Sequence, residues 1–314
     1  MPADIGATGI MGIAFEATPG TYVAPTKYFP IRDENMIVTQ DTMWRQPIRG
    51  LADIIGSVPG NQTVSGDVEI EALPDVVPWF LHASRNTFVK AGTNPYTYTY
   101  TPTHAASIPN AATRTLSVSV LRNGQVFGYS GCVVTKQEWS LDNAMLIVKF
   151  TLMGLNEATQ AALTPTFANQ VPFGAGQYAV EIPTATPVTD TDSFSCTVDD
   201  TGNPAFRMQN TRRGPMFIYL GERKVDLSLT RDFLDRTDYD AFKAYTAQSI
   251  TIKAIQGANA EIDLKFPVAI KDTYEVSLNG QGELLRAAIK YVGVYDTSTS
   301  KSYEAKVITT ENIT

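Results

Sequence analysis

Side chains that could do chemistry are few in this chain and poorly gathered. Its two histidines, His82 and His104, fall in different elements, the second in a proline-rich loop. Neither has the His and Cys neighbours that a zinc ion needs. Cys132 and Cys196 are far apart in strand-like stretches and read as small buried apolar residues, with nothing to support a disulfide. Asp190, Asp192, Asp199 and Asp200 cluster in turn-like sequence. A close pair of them could serve glycoside hydrolysis, which favours β-rich scaffolds. Asp199 and Asp200 could also approach a calcium ion, but the ligand count is too small. Aspartates that merely form turns explain the cluster more simply. A Ser-His-Asp set stays open, yet no G-x-S-x-G elbow, phosphate-cradling glycine loop or dinucleotide fingerprint occurs. The residues therefore assign no catalytic group, no cofactor site and no metal site.

One charged pattern is more informative. Asp67, Glu69 and Glu71 alternate with Val68 and Ile70. A period of two puts the three carboxylates on one face of a strand and the apolar residues on the other. Like charges at alternate positions repel. The face is either an ordinary solvated one or a wall built to repel something anionic.

Composition narrows the partners. The chain has 314 residues, a formal net charge of −7, 43% hydrophobic and 18% charged residues. That length suggests about two domains, each large enough for its own core. The negative balance excludes a basic nucleic-acid footprint, and Arg212-Arg213 reads as a solvated or contact loop. Low charge leaves surface free for contact with other protein. The first fifteen residues lack the basic start and apolar run of a secretory signal, and no stretch approaches a bilayer span. Folding in the cytoplasm, without a membrane partner, is the expectation.

The elements that must carry these residues are mostly strands. Residues 1–60 are broken by Gly20, Pro25, Pro30, Pro47, Pro59 and Gly60, yet contain Phe15, Tyr22, Tyr28, Phe29 and Trp44. Disordered tails are poor in aromatics, so this reads as an extended arm lying on its own domain or on a neighbouring subunit. Val64–Glu71 is a strand, Pro74–Ser84 a short helix with Asp75 placed to cap it, and Tyr96–Tyr100 a strand. A hairpin turns at Asn123-Gly124, and another at Asp142-Asn143. Period is lost from 156 to 192. It returns in Ser193–Val198, Met216–Leu220 and Arg223–Thr230, then in a helix that Thr237 and Asp240 could box, then in strands around Ile252 and Leu264.

The order repeats. Glu138-Trp139-Ser140-Leu141-Asp142-Asn143 is echoed by Glu275-Val276-Ser277-Leu278-Asn279-Gly280, each running into an apolar return strand. Both halves read strand, helix, strand and long hairpin. The expected organisation is mainly β: an arm (1–60), a first module (61–160), a junction (161–192), a second module (193–298) and a C-terminal tail (299–314). Each module is a β-sandwich or barrel with one short flanking helix.

The segment from Gly12 through Ala14-Phe15-Glu16-Ala17-Thr18-Pro19-Gly20-Thr21-Tyr22 to Ile31 resembles the start of tail tube (major tail) proteins of long-tailed bacteriophages. The later order of acidic strand, short helix and long hairpins is similar to the tail-tube module. The resemblance implies a structural protein of the virion tail, made in the host cytoplasm, without enzymatic activity. It implies rings whose inner strands join into a channel, stacked through loops and arms. Double-stranded DNA would pass along an acidic wall without specific binding. Asp67, Glu69 and Glu71, with Asp226, Glu261 and Asp263 in the second half, are the candidate lumen residues. Phe15, Tyr22, Tyr28, Phe29 and Trp44 are the candidate arm contacts between subunits. Partners implied are further copies of the chain and the tape measure, terminator and distal tail proteins. Two modules per chain suggest three chains per ring with pseudo-sixfold symmetry. Competing readings are a tail terminator, sheath or baseplate protein, a β-rich carbohydrate hydrolase, and a carbohydrate-binding or adhesion module.

Overall fold

Strand alternation in the sequence is realised in a mainly β, antiparallel architecture. The computed structural model describes residues 9–48, 50, 52–103, 107–108, 115–142, 144–167, 171–208, 213–278 and 282–313. His104, Arg114, Asn143, Arg212, Asn279 and Gly280 lie outside the described residues.

The first half contains β1 (Ile10–Phe15), β2 (Lys27–Phe29), β3 (Asp33–Glu34), β4 (Ile37–Arg45), β5 (Gly56–Glu71), α1 (Val77–His82), β6 (Asn86–Ala91), β7 (Tyr96–Pro102), β8 (Ser107–Ile108), β9 (Leu116–Arg122), β10 (Gln125–Asp142), β11 (Met145–Gly154) and β12 (Asn156–Gln160). The second contains β13 (Tyr178–Glu181), β14 (Pro187–Val188), β15 (Thr191–Asp199), β16 (Gly202–Ala205), β17 (Phe217–Leu220), β18 (Lys224–Asp232), α2 (Thr237–Lys243), β19 (Gln248–Ile255), β20 (Glu261–Ser277), β21 (Arg286–Gly293) and β22 (Glu304–Thr309).

Two long strands organise the sheets. The first part of β10 pairs with β9 and β12, and its second part with β11 and β15. Likewise β20 pairs first with β19 and β22, then with β21. A bulge sits in each, at Thr135 and at Asp272. An extra residue bends a strand and increases its twist, which lets one strand serve two sheets. The result is a central sheet in the order β4, β5, β11, β10, β15, β18, β21, β20.

The pairings recur in the two halves. β5–β11–β10–β9–β1–β2, with β12 beside β10, has its counterpart in β18–β21–β20–β19–β13–β14, with β22 beside β20. The helices α1 and α2 follow β5 and β18 in the same way. The first half adds β6 and β7 after its helix; the second inserts β16 and β17 between β15 and β18.

The apolar faces turn together as in a sandwich, and one continuous core cluster runs from Met11 to Ile313 across both halves. Three expectations change here. Residues 10–45 are not irregular: they hold β1 to β4, and Met11, Ile13 and Phe29 are buried. The loss of period after 156 hides β12, β13 and β14. Within 299–314, β22 pairs with both β20 and β7, stitching the first half to the second. Short strands of this kind are fixed by partners distant in sequence, so no local pattern announces them. The helix termini also differ. Neither α1 nor α2 has a side-chain cap hydrogen bond. Asp75 instead forms a buried ion pair with Lys27 at 2.8 Å.

Candidate functional site

One face of the central sheet is an organised polar surface. Register places Asp67, Glu69 and Glu71 of β5 beside Thr151, Lys149 and Ile147 of β11. It continues through Lys136 and Glu138 of β10, Asp199 of β15, Lys224, Asp226 and Asp232 of β18, Arg286 and Lys290 of β21, and Glu275 of β20. The opposite face of the same strands carries Val68, Ile70, Val148, Phe150, Trp139, Cys196, Val198, Leu227, Leu229 and Ile289, all buried. Period-two alternation thus produces a wall with an apolar back. Carboxylates outnumber basic groups on it.

The wall is not uniformly acidic. Lys149 Nζ lies 3.1 Å from Asp67 and 3.6 Å from Glu138, and Lys136 Nζ lies 2.6 Å from Glu138. Thr151 donates its hydroxyl to Asp67 Oδ1 at 2.7 Å. Partial burial opposes ionisation of Asp67, but the Thr151 hydroxyl and the Lys149 ammonium together hold its carboxyl below the usual carboxylate range. The same contact with Asp67 raises the Lys149 ammonium. Arg32 meets Glu69 at 3.3 Å and Asp142 at 2.8 Å. Lys224 lies 2.9 Å from Asp226. Lys149 and Arg32 meet carboxylates far away in the chain, so local sequence does not show these pairs, whereas Lys136 and Lys224 each lie two residues from their partner on the same strand.

The six candidate acidic residues do not all meet. Asp67, Glu69, Glu71 and Asp226 share the central wall. Glu261 and Asp263 lie on the first part of β20, in the sheet with β19 and β22. Lys306 reaches them at 2.6 and 3.1 Å. Burial, with Glu261 beside it, pushes Asp263 up to about 6. Burial also opposes ionisation of Glu261, but the Lys306 contact lowers it.

Four of the five arm aromatics contact their own chain. Phe15 stacks on Trp79 with ring centroids 4.5 Å apart, and Phe29 meets Phe80 edge-on at 5.6 Å. Tyr22 hydrogen-bonds Ser119 at 2.7 Å. Tyr28 sits across from Gly12, where a Cβ would fall 2.9 Å from its ring. Trp44 is different. It is 64% exposed near the end of the β4–β5 hairpin, with Met43, Ile48, Ile54 and Val58 exposed close by in sequence.

Residues that might have done chemistry are held in structural roles. His82 is buried, with Nδ1 2.8 Å from the Pro78 carbonyl and from the Tyr100 hydroxyl. Asp190 binds Arg231, Asp192 binds Arg286, and Asp200 receives both Arg85 and Arg223. Burial raises both thiols. Among the described residues there is no group of three His, Cys, Asp or Glu able to hold a metal ion. No described helix is long and apolar enough to cross a membrane.

A mainly β chain with a broad polar wall, an apolar back and a hairpin with exposed apolar side chains has the anatomy of a structural subunit. The family model for phage tail tube protein matches residues 6–290, and the chain belongs to that family. A search of curated proteins finds no match. Membership makes this a structural protein of the bacteriophage virion tail that associates with itself and with other tail proteins.

Proposed function

We propose that this protein polymerises as stacked rings, each made of three chains with pseudo-sixfold symmetry, and that the rings form the channel through which double-stranded DNA passes. The observation that carries the reading is the repeated pairing order, which gives each chain two equivalent sheet units already joined side by side through β10 and β15. The units reach beyond modules of 61–160 and 193–298: the first takes in β1 and β2 from the expected arm, and the second takes in β13 and β14 from the expected junction (161–192) and β22 from the expected tail. The wall of Asp67, Glu69, Glu71 and Asp226 faces the bore. DNA carries about one negative charge per 1.7 Å of axis. An excess of wall carboxylates keeps that polyanion from adhering, while Lys149 and Lys136 relieve repulsion among the carboxylates themselves. No group on the wall needs to react, in keeping with a non-enzymatic role.

The exposed hairpin around Trp44 supplies the contact between stacked rings. Apolar side chains exposed on a hairpin are a hazard in a lone chain and a docking surface in a stack. Tube ends would meet the tape measure, terminator and distal tail proteins. Reconstruction of assembled tubes should show three chains per ring with Asp67, Glu69 and Glu71 on the bore; six whole chains per ring would overturn the symmetry. Replacing those three residues with Lys should leave tubes intact and impair DNA delivery. Unchanged infectivity of that variant would end the lumen assignment.

A further inference from the structure

The joint inside the chain contains more than a symmetry argument, because it specifies a register. β10 meets β15 with Lys136 opposite Asp199, Gln137 opposite Val198, Glu138 opposite Thr197 and Trp139 opposite Cys196. The counterpart of this stretch of β10 is the end of β20. Two independent features align them identically: the bulges at Thr135 and Asp272, and the echo of Glu138-Trp139-Ser140-Leu141 in Glu275-Val276-Ser277-Leu278.

The counterpart of β15 follows from the pairings alone. Crossing from Glu138 through Lys149 to Glu69 leads to Asp33. Crossing from Glu275 through Ala288 to Thr230 leads to Ser193. Asp33 therefore corresponds to Ser193, and Ile37 to Thr197. Burial agrees, since Met36 and its counterpart Cys196 are both buried.

We infer that a second copy of this chain docks β20 onto its β3–β4 edge, antiparallel, with Glu275 opposite Ile37, Tyr274 opposite Val38 and Thr273 opposite Thr39. The inference rests on the ring reading and adds the register to it. Exposure supports it. Trp139 in the internal joint is 1% exposed, whereas its counterpart Val276 is 38% exposed and Ile37 is 58% exposed. Val276 is thus apolar surface that a joint like the internal one would bury against Met36, while Ile37 stays on the wall face, as its half-buried counterpart Thr197 does. No like charges face each other in this register. In the single chain the Met36 carbonyl accepts from Arg122 and Tyr129 at 2.7 and 3.0 Å, so the joint forms around bonds that this residue already makes.

The test is disulfide capture in assembled tubes of a variant combining Ile37→Cys and Glu275→Cys. The native thiols, Cys132 and Cys196, are buried and serve as an internal background. Oxidation should convert the monomer band on a non-reducing gel into a ladder ending at the trimer. A companion variant, Thr39→Cys with Glu275→Cys, shifts one partner about 7 Å along the strand, beyond disulfide reach, and should keep its monomer band. Tubes in which only the shifted pair links, or neither does, overturn the register while leaving the tube reading intact. Failure of the unmodified chain to form tubes under any condition overturns both.

Discussion

The two helices occupy corresponding places after β5 and β18, yet they live in different surroundings. Every residue of α1, from Val77 to His82, is buried, whereas no residue of α2 is. Phe80 of α1 stacks on Phe150 at 4.5 Å and meets Phe29, and the inserted strands β6 and β7 lie over the same helix. In α2, Tyr239 and Phe242 meet each other at 6.4 Å and Tyr274 of β20 at 5.8 and 6.3 Å. Local sequence makes both segments short helices; what differs is the cover. The insertion and the N-terminal strands close over the first half. The second half keeps an open flank beside the end of β20, where the neighbouring chain is proposed to dock.

Breaking equivalent contacts in the two helices should separate these situations. Phe80→Ala should cost about 3–5 kcal/mol in urea unfolding, the range for emptying a packed aromatic site. Phe242→Ala should cost far less, because much of its site is already open; equal losses would show that α2 is packed like α1. Next comes the ion pair under α1. Lys27 and Asp75 are both buried, and burial raises the Asp75 carboxyl while Lys27 opposes that rise. Lys27→Met should cost about 3 kcal/mol by leaving a buried carboxyl without its cation. The exposed pair of α2, Arg236 with Asp240, should contribute about 0.3–0.5 kcal/mol, so Arg236→Ala should barely move the unfolding midpoint.

Two smaller effects depend on pH. Asp263 is raised to about 6 in the folded chain, above an unfolded carboxyl near about 3.9. Its contribution is complete below the unfolded value and is lost as pH rises through about 6. Asp263→Asn should remove that slope from a stability profile. Asp67 has the opposite sign. Its carboxyl is lowered, so its contribution is present above the unfolded value and lost as pH falls through the folded one. Asp67→Asn should slightly flatten acid unfolding, by less than about 1 kcal/mol, since the site is largely solvated.

Much of the fold was legible because its signals are local. The alternation of Val64, Val68 and Ile70 with acidic residues announced β5 and its polar face. Asn123-Gly124 announced the β9–β10 turn, and both residues have positive φ there. The candidate wall was legible only in part. Asp67 and Glu69 could be put on one face, but Lys149 and Arg32 beside them could not. Glu261 and Asp263 look like the same pattern in sequence and lie in another sheet.

The sequence alone determined where the strongly periodic strands, such as β5 and β9, and their turns would form, because side-chain periodicity is a property of a few neighbouring residues. It also determined the net negative charge and the repeated order of elements. Tertiary structure decided which strands pair. It bent β10 and β20 through single-residue bulges into two sheets each, drew β22 across both halves, buried one helix and left the other uncovered. Those outcomes depend on backbone hydrogen bonds and packing between residues from tens of positions apart, as between Lys136 and Asp199, to about two hundred, as between Tyr98 and Val307, and no local pattern encodes a partner at that distance.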